Sequence, residues 1–192
     1  MESIKRKPAV FLDRDGTFIV DRPFLSEPEG VELFPETIPA LRGLMELGFR
    51  LIVISNQSGV ARGYFGEEAV ERINSRFREL LEMEGVLLDG IYYCPNHPDA
   101  IDQKYRANLQ CRKPNTGMVD RAVQEMEIDL SSSFVVGDKL SDVELAHNLN
   151  ITGILVKTGY GLKALESMAE PDFPIAENML DVLEIIRRTC EG

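Results

Sequence analysis

No stretch of this sequence is apolar over the roughly 20 residues that a membrane-spanning helix needs, and the charged opening Met1 to Lys7 lacks the apolar core of a secretory signal. The expectation is a cytoplasmic protein with no membrane partner. Basic residues are scarce too: 21 Lys and Arg stand against 32 Asp and Glu, a formal net charge of −11. Tight binding to a polyanion rests on many Lys and Arg contacts to phosphates, so nucleic acid is not an expected partner. Cysteine occurs three times, at Cys94, Cys111 and Cys190, an odd and sparse set that fits reduced thiols or a metal site better than a disulfide framework. Repeats, low-complexity tracts and Pro/Gly-rich linkers are missing, which leaves nothing to mark a domain boundary. With 44% hydrophobic residues in a chain of 192, one well-buried core is expected, in a single domain over residues 1–192 and in a monomer.

Short Val/Ile/Leu-rich runs are what the chain does have. Ala9 to Leu12 and Arg50 to Ile54 suit strands covered on both faces of a parallel sheet, and each stops at a polar turn. Between them Ile38, Leu41, Leu44 and Met45 repeat at helical spacing, with Pro39 in the first turn and Gly48 as the stop. A second stripe, Val70, Ile73, Phe77, Leu80 and Leu81, ends at Gly85 and leads into a third strand, Gly90 to Cys94. Beyond an irregular polar loop, Pro95 to Pro114, the spacing predicts a helix from Gly117 to Met126, a strand at Phe134 to Gly137 and a strand at Ile151 to Val156. Ser141 with Glu144 reads as a capping box for the helix between those two strands. Asn178 reads as the N-cap of an amphipathic closing helix that runs to Arg188. Strands alternating with helices imply an α/β fold: a doubly wound, Rossmann-like parallel sheet of about five strands with helices on both faces. Ligands in such sheets bind beyond the carboxyl ends of the strands, where the strand order switches.

The strand ends carry an unusual set of groups. The first run stops at Asp13-Arg14-Asp15-Gly16-Thr17, the second at Ser55-Asn56-Gln57-Ser58-Gly59 and the fourth at Gly137-Asp138-Lys139, with Asp142 close behind, while Arg112-Lys113-Pro114 precedes a helix. Each alone is an ordinary turn, cap or surface group. Together they supply what a magnesium-bound phosphate needs: hard oxygen ligands for the cation, lysines to balance phosphoryl charge, and hydroxyl and amide groups to orient it. Asp-x-Asp-Gly-Thr alone fixes four positions, and a chance match in a chain of this size is about one in a thousand at average residue usage.

These segments resemble the four signature motifs of the haloacid dehalogenase superfamily of phosphotransferases, in the same order and on the same elements. The stretches FLDRDGT, SNQSGVARG, CRKPNTGM and VVGDKLSD are similar to those of its subgroup of heptose 1,7-bisphosphate and histidinol-phosphate phosphatases. The resemblance covers roughly residues 8 to 162. It implies a phosphatase with Asp13 as nucleophile, forming an aspartyl-phosphate, and Asp15 as the acid that protonates the leaving oxygen and then the base that activates water. It also implies Mg²⁺ held by the Asp13 side chain, the Asp15 main-chain carbonyl and Asp138, with Asp142 behind them. Ser55 and Lys113 would hold the transferred phosphoryl group. Only sixteen residues separate Thr17 from Phe34, too few for a separate cap domain. Selectivity for a small phosphorylated metabolite would therefore come from Asp21, Arg22, Pro23, Phe24, Asn56, Gln57, Ser58, Arg112 and Lys139, by position in the subgroup. A second substrate phosphate would give Arg112 a bidentate partner. The substrate this implies is the heptose bisphosphate, losing its 7-phosphate, with histidinol phosphate as the alternative. A phosphoacceptor signalling domain uses similar residues, but it has no need of an acid/base at Asp15. Arg14, between the two carboxylates, is expected to point away from the phosphate and takes no role from the resemblance.

The subgroup's zinc loop is where the resemblance breaks. Its Cys-x-His and Cys-x-Cys pairs read here as Cys94-Pro95-Asn96, with His97 one position late, and Leu109-Gln110-Cys111. Cys94, His97 and Cys111 leave a tetrahedral zinc site one donor short, so zinc is not expected. Tyr93, Tyr105 and apolar neighbours must hold the loop instead.

Overall fold

The computed structural model describes residues 6–166 and 168–191. Six parallel strands, β1 (Ala9–Leu12), β2 (Arg50–Asn56), β3 (Gly90–Cys94), β4 (Phe134–Gly137), β5 (Thr152–Val156) and β6 (Ile175–Ala176), lie in the order β3-β2-β1-β4-β5-β6. The chain moves outward from β1 through β2 to β3, then returns to β1's other side for β4. The strand order therefore switches at β1 and β4, and the crevice beyond their carboxyl ends is the expected ligand site.

Burial follows from the pleat. Val10 and Leu12 of β1 face one core, with Val53 of β2 and the helices α1 (Thr37–Glu46), α3 (Glu67–Met83) and α7 (Met179–Glu191). Ala9 and Phe11 face the other, with Ile52, Ile54 and the helices α4 (Gly117–Glu125) and α5 (Leu140–Asn148). Both faces of each inner strand are covered, so these strands read as unbroken apolar runs rather than as alternation. Two short helices, α2 (Ser58–Ala61) and α6 (Gly161–Glu166), and single-turn 3-10 helices at Pro28–Gly30, Gln103–Tyr105, Leu109–Cys111 and Leu130–Ser132 lie in the connections. α1 stops at Gly48, whose φ of +89° is left-handed. At the start of α7 the Asn178 carboxamide accepts the Leu180 N–H at 2.9 Å, the predicted cap.

Three expectations are corrected. The sheet has six strands rather than five, because β6 pairs only two residues with the end of β5 and carries no apolar run to announce it. The capping interaction of α5 lies two residues earlier than Ser141/Glu144: the Asp142 carboxylate accepts the Lys139 N–H at 3.1 Å, so the helix begins nearer the strand. Cys94 and Cys111 are joined as a disulfide, not reduced, because the loop after β3 folds back on the strand end and brings their Cα atoms to 5.4 Å. Cys190 is free and exposed. The loop is held as expected by its tyrosines: the Tyr93 and Tyr105 hydroxyls donate to the two oxygens of Glu67 at 3.1 and 2.7 Å.

Candidate active site

Asp13 continues β1 by one residue, its N–H donating to Val136 O of β4 at 2.8 Å. That bond fixes where its carboxylate emerges, at the switch point. Lys113 reaches it across the crevice, with Nζ at 2.6 Å from Asp13 Oδ1, 2.6 Å from Asp142 Oδ1 and 2.9 Å from Ile54 O. All three side chains are buried. Burial alone would raise the Asp13 pKa, but the Lys113 and Lys139 ammoniums outweigh it and hold the carboxyl below its usual range. Burial works against the Lys113 charge as well, yet the two carboxylates keep its pKa above the ordinary lysine value. A carboxylate held charged in this way can serve as a nucleophile without a base to activate it.

Asp138 follows β4 directly and is fully buried. Its Oδ2 accepts the Tyr160 N–H at 2.8 Å, which leaves Oδ1 for the crevice. Gly16 makes room for it: φ is +85°, and a Cβ there would stand 2.3 Å from Asp138 Oδ2. Burial first, and the Asp13 charge second, push the Asp138 carboxyl up to about 7. One oxygen each from Asp13, Asp138 and Asp142 lie within 4.8 Å of one another, a cluster whose repulsion calls for a cation.

The structure supplies one. Lys139 Nζ lies 2.7 Å from Asp138 Oδ1, 3.7 Å from Asp13 Oδ2 and 3.5 Å from the Asp15 carbonyl oxygen. Those are the same groups that the family resemblance implies for Mg²⁺, so the lysine ammonium stands in for a cation at an all-oxygen site. The donor set fits a hard divalent ion.

Asp15 faces the cleft from the turn after β1, its side chain 19% exposed. Gln57 donates through Nε2 to Asp15 Oδ2 at 2.8 Å and contacts Ser55 Oγ at 2.7 Å, tying the ends of β1 and β2 together. Asp13, Asp15, Asp21, Arg22, Pro23, Phe24, Ser55, Asn56, Gln57, Ser58, Lys113 and Lys139 all line one cleft of about 220 Å³. Asp21's carboxyl is raised by burial and by the Asp15 and Asp13 charges, against the pull of Lys139. Arg22 pairs outward with Glu32 at 2.8 Å. Phe24 holds a left-handed φ of +52° on the rim, its ring 4.2 Å from that of Tyr64. Such a backbone is costly for a bulky residue and persists only where its surroundings enforce it.

Two predicted contacts are otherwise engaged. The Asn56 carboxamide clamps the Lys113 backbone, accepting its N–H at 3.0 Å and donating to its carbonyl at 3.1 Å. Arg112 lies outside the residues lining the cleft, half-buried beside Arg62 with Nη1 3.4 Å from Asn96 O, and burial lowers its pKa. The candidate zinc donors are not gathered: Cys94 and Cys111 bond each other, and the His97 ring accepts the Asp99 N–H at 3.1 Å. Tyr160, which lines the cleft and holds Asp138, was missed. It follows β5, so its place just beyond a strand end is the signal in the sequence that points to it. Arg14 was also left without a role; its side chain turns to Asp15 and to Asn74 of α3.

The chain as a whole is similar to known proteins. The HAD-hydrolase-like family is matched over residues 110–182. The D-glycero-β-D-manno-heptose-1,7-bisphosphate 7-phosphatase of Escherichia coli K12 is 42% identical over 178 residues, covering 92% of this chain and 88% of its own. The enzyme of the same name from Photorhabdus laumondii is 44% identical over 153 residues, 79% of this chain and 81% of its own. Among solved structures, the D,D-heptose 1,7-bisphosphate phosphatase of B. bronchiseptica, complexed with magnesium and phosphate, superposes with a TM-score of 0.83 at 29% identity, covering 95% of this chain and 99% of its own. The chain therefore belongs to the haloacid dehalogenase (HAD)-like hydrolases and is a phosphatase of the group that contains the heptose-bisphosphate 7-phosphatases.

Proposed function

We propose that this phosphatase removes the 7-phosphate from D-glycero-β-D-manno-heptose 1,7-bisphosphate, through an aspartyl-phosphate on Asp13, within one domain that has no separate cap. The observation that carries this reading is the convergence of Asp13, Asp15, Asp138, Lys113 and Lys139 on one cleft at the switch point. The substrate rests on relatives at 42 and 44% identity that share that name.

Asp13 attacks phosphorus while Asp15 gives its proton to the departing C7 alkoxide; Asp15 then takes a proton from the water that hydrolyses the acyl phosphate. Lys113 holds Asp13 in place and balances the incoming phosphoryl charge. Ser55, steadied by Gln57, donates to a phosphoryl oxygen. The sugar and its second phosphate reach past the small cleft to its rim, where Arg22, Phe24, Ser58 and Tyr160 stand. Arg112, beyond the lining, is near enough in sequence to Lys113 to meet the second phosphate only if it leaves Asn96 O.

Asp13, Asp138 and the Asp15 carbonyl would hold Mg²⁺, and Lys139 would yield that place to it. When bound, the ion supplies positive charge against the phosphoryl oxygens and the carboxylates. Asp138 sets the pH dependence. Its pKa of about 7 lies above the ordinary 3.8, so the metal-free fold retains a proton there that the unfolded chain has released. Between those values, rising pH costs the metal-free protein stability, and Mg²⁺ restores it. Titration calorimetry should show Mg²⁺ affinity weakening below pH 7 by up to about tenfold per pH unit. A pH-independent affinity would remove Asp138 from the ligand set.

Phosphate release over heptose 1,7-bisphosphate, sugar monophosphates and histidinol phosphate tests the substrate. The expected order places the bisphosphate first by at least about tenfold in kcat/KM, since one well-placed charged contact contributes that much. A preference for histidinol phosphate would replace the proposed substrate and leave the chemistry standing.

A further inference from the structure

We propose that Arg14 is a positioning residue: its buried guanidinium holds the Asp15 carboxylate in the orientation from which it protonates the leaving oxygen. The proposal rests on the reading of Asp15 as the general acid.

Arg14 is 1% exposed. A buried guanidinium is tolerated only where its partners satisfy it, so those partners define its purpose. Nη2 stands 3.0 Å from Asp15 Oδ2, and Nε is 3.2 Å from both Asp15 oxygens. On the other side Nη1 donates to Asn74 Oδ1 at 2.9 Å, and the guanidinium carbon lies 6.0 Å from the centre of the Phe77 ring. Asn74 and Phe77 are both buried on α3, whose packing against the sheet fixes them. The guanidinium is a planar fork with its donors at fixed angles. Anchored to α3 by one arm, it presents the other arm to Asp15 and transmits the rigidity of the helix to a carboxylate on a turn.

The contacts also distinguish the two carboxylate oxygens. Oδ2 gathers the Nη2, Nε and Gln57 Nε2 donors at 3.0, 3.2 and 2.8 Å, whereas Oδ1 meets Nε alone at 3.2 Å. Oδ1 is then the oxygen that carries the proton. In the step it serves, a bond forms between an Asp13 oxygen and phosphorus, the bond from phosphorus to the substrate oxygen breaks, and the Asp15 proton moves to that oxygen. The Arg14 guanidinium enters this step only through the Asp15 carboxylate that it holds.

A positioning role can be separated from a merely structural one by leaving-group chemistry. A sugar phosphate expels a basic alkoxide that needs the proton; p-nitrophenyl phosphate expels a stable phenolate that does not. The ratio kcat/KM reports events up to formation of the aspartyl-phosphate, so hydrolysis of that intermediate does not enter. Arg14→Met should lose about 10²-fold in kcat/KM on a sugar phosphate and stay within about threefold on p-nitrophenyl phosphate. Arg14→Lys, which keeps the charge but not the fork, should recover only part of the loss. Asn74→Ala removes the anchor alone and should show the same selectivity at smaller size, which keeps the test usable if Arg14→Met folds poorly. Equal losses on both substrates, or no loss on either, overturn the proposal. Asp15→Asn measured alongside separates the two layers. If Asp15→Asn is selective for the sugar phosphate while the Arg14 and Asn74 variants are not, only the positioning role fails. If Asp15→Asn shows no selectivity, the acid itself has been misassigned, and the Arg14 proposal falls with it.

Discussion

Asp13→Asn is expected to lower turnover by about 10⁴-fold or more while the protein remains folded. A carboxamide oxygen is a poor nucleophile toward phosphorus, and no neighbouring group can replace it: Asp138 is held by the Tyr160 N–H and Asp142 by the Lys139 N–H. The fold should survive because Lys113 keeps Asp142 at 2.6 Å and Ile54 O at 2.9 Å. Neutralising Asp13 also relieves its repulsion with Asp138 and Asp142, which lie within the same cluster. Phosphate release together with a thermal melt checks both halves. Activity retained within tenfold would remove Asp13 as the nucleophile.

Lys113→Met should be the most destabilising single change in the site. It leaves Asp13 and Asp142 buried without their shared cation, and breaking such a pair costs about 3–5 kcal/mol. For a chain of this size that is a fall in melting temperature on the order of 10 °C. The loss should depend on pH. Without Lys113, burial pushes the Asp13 and Asp142 carboxyls up, with Lys139 left to oppose it. Such groups destabilise the fold progressively as pH rises above about 4, and the deficit shrinks as they are protonated. A melt at pH 5 should therefore lie closer to wild type than one at pH 8. Equal deficits at both would mean that lost packing, not uncompensated charge, is the cause. Turnover should fall as well, since Asp13 loses the contact that orients it.

The parts of this structure that could be read from sequence are those in which one physical rule acts locally. The inner strands β1, β2 and β4 are short runs buried on both faces, and such runs announce themselves; β6, at the sheet edge with two paired residues, does not. The site was legible because a doubly wound sheet gathers whatever follows its strands, which found Asp13, Ser55 and Asp138 without any knowledge of their distances. Side-chain traffic across the fold was not legible. Asn56 resembles a ligand contact in sequence, yet it spends its amide on the Lys113 backbone 57 residues away. Cys94 and Cys111 looked unpaired because nothing local indicates that the loop returns to the end of β3. Arg14 gained a reason for its position only when α3 placed Asn74 and Phe77 beside it. The capping box was assigned from the Ser141/Glu144 spacing, whereas the structure uses Asp142, a carboxylate that also serves Lys113.

The central claim is that phosphate passes through Asp13, and the most direct measurement captures it there. Enzyme quenched in acid during turnover of a phosphomonoester, then treated with borohydride and mapped by peptide mass spectrometry, should contain homoserine at position 13, because borohydride reduces an acyl phosphate and leaves free carboxylates alone. The modification should require substrate and be missing from Asp13→Asn. Homoserine at Asp15 or Asp138, or none at any aspartate when turnover is demonstrably under way, would contradict the account.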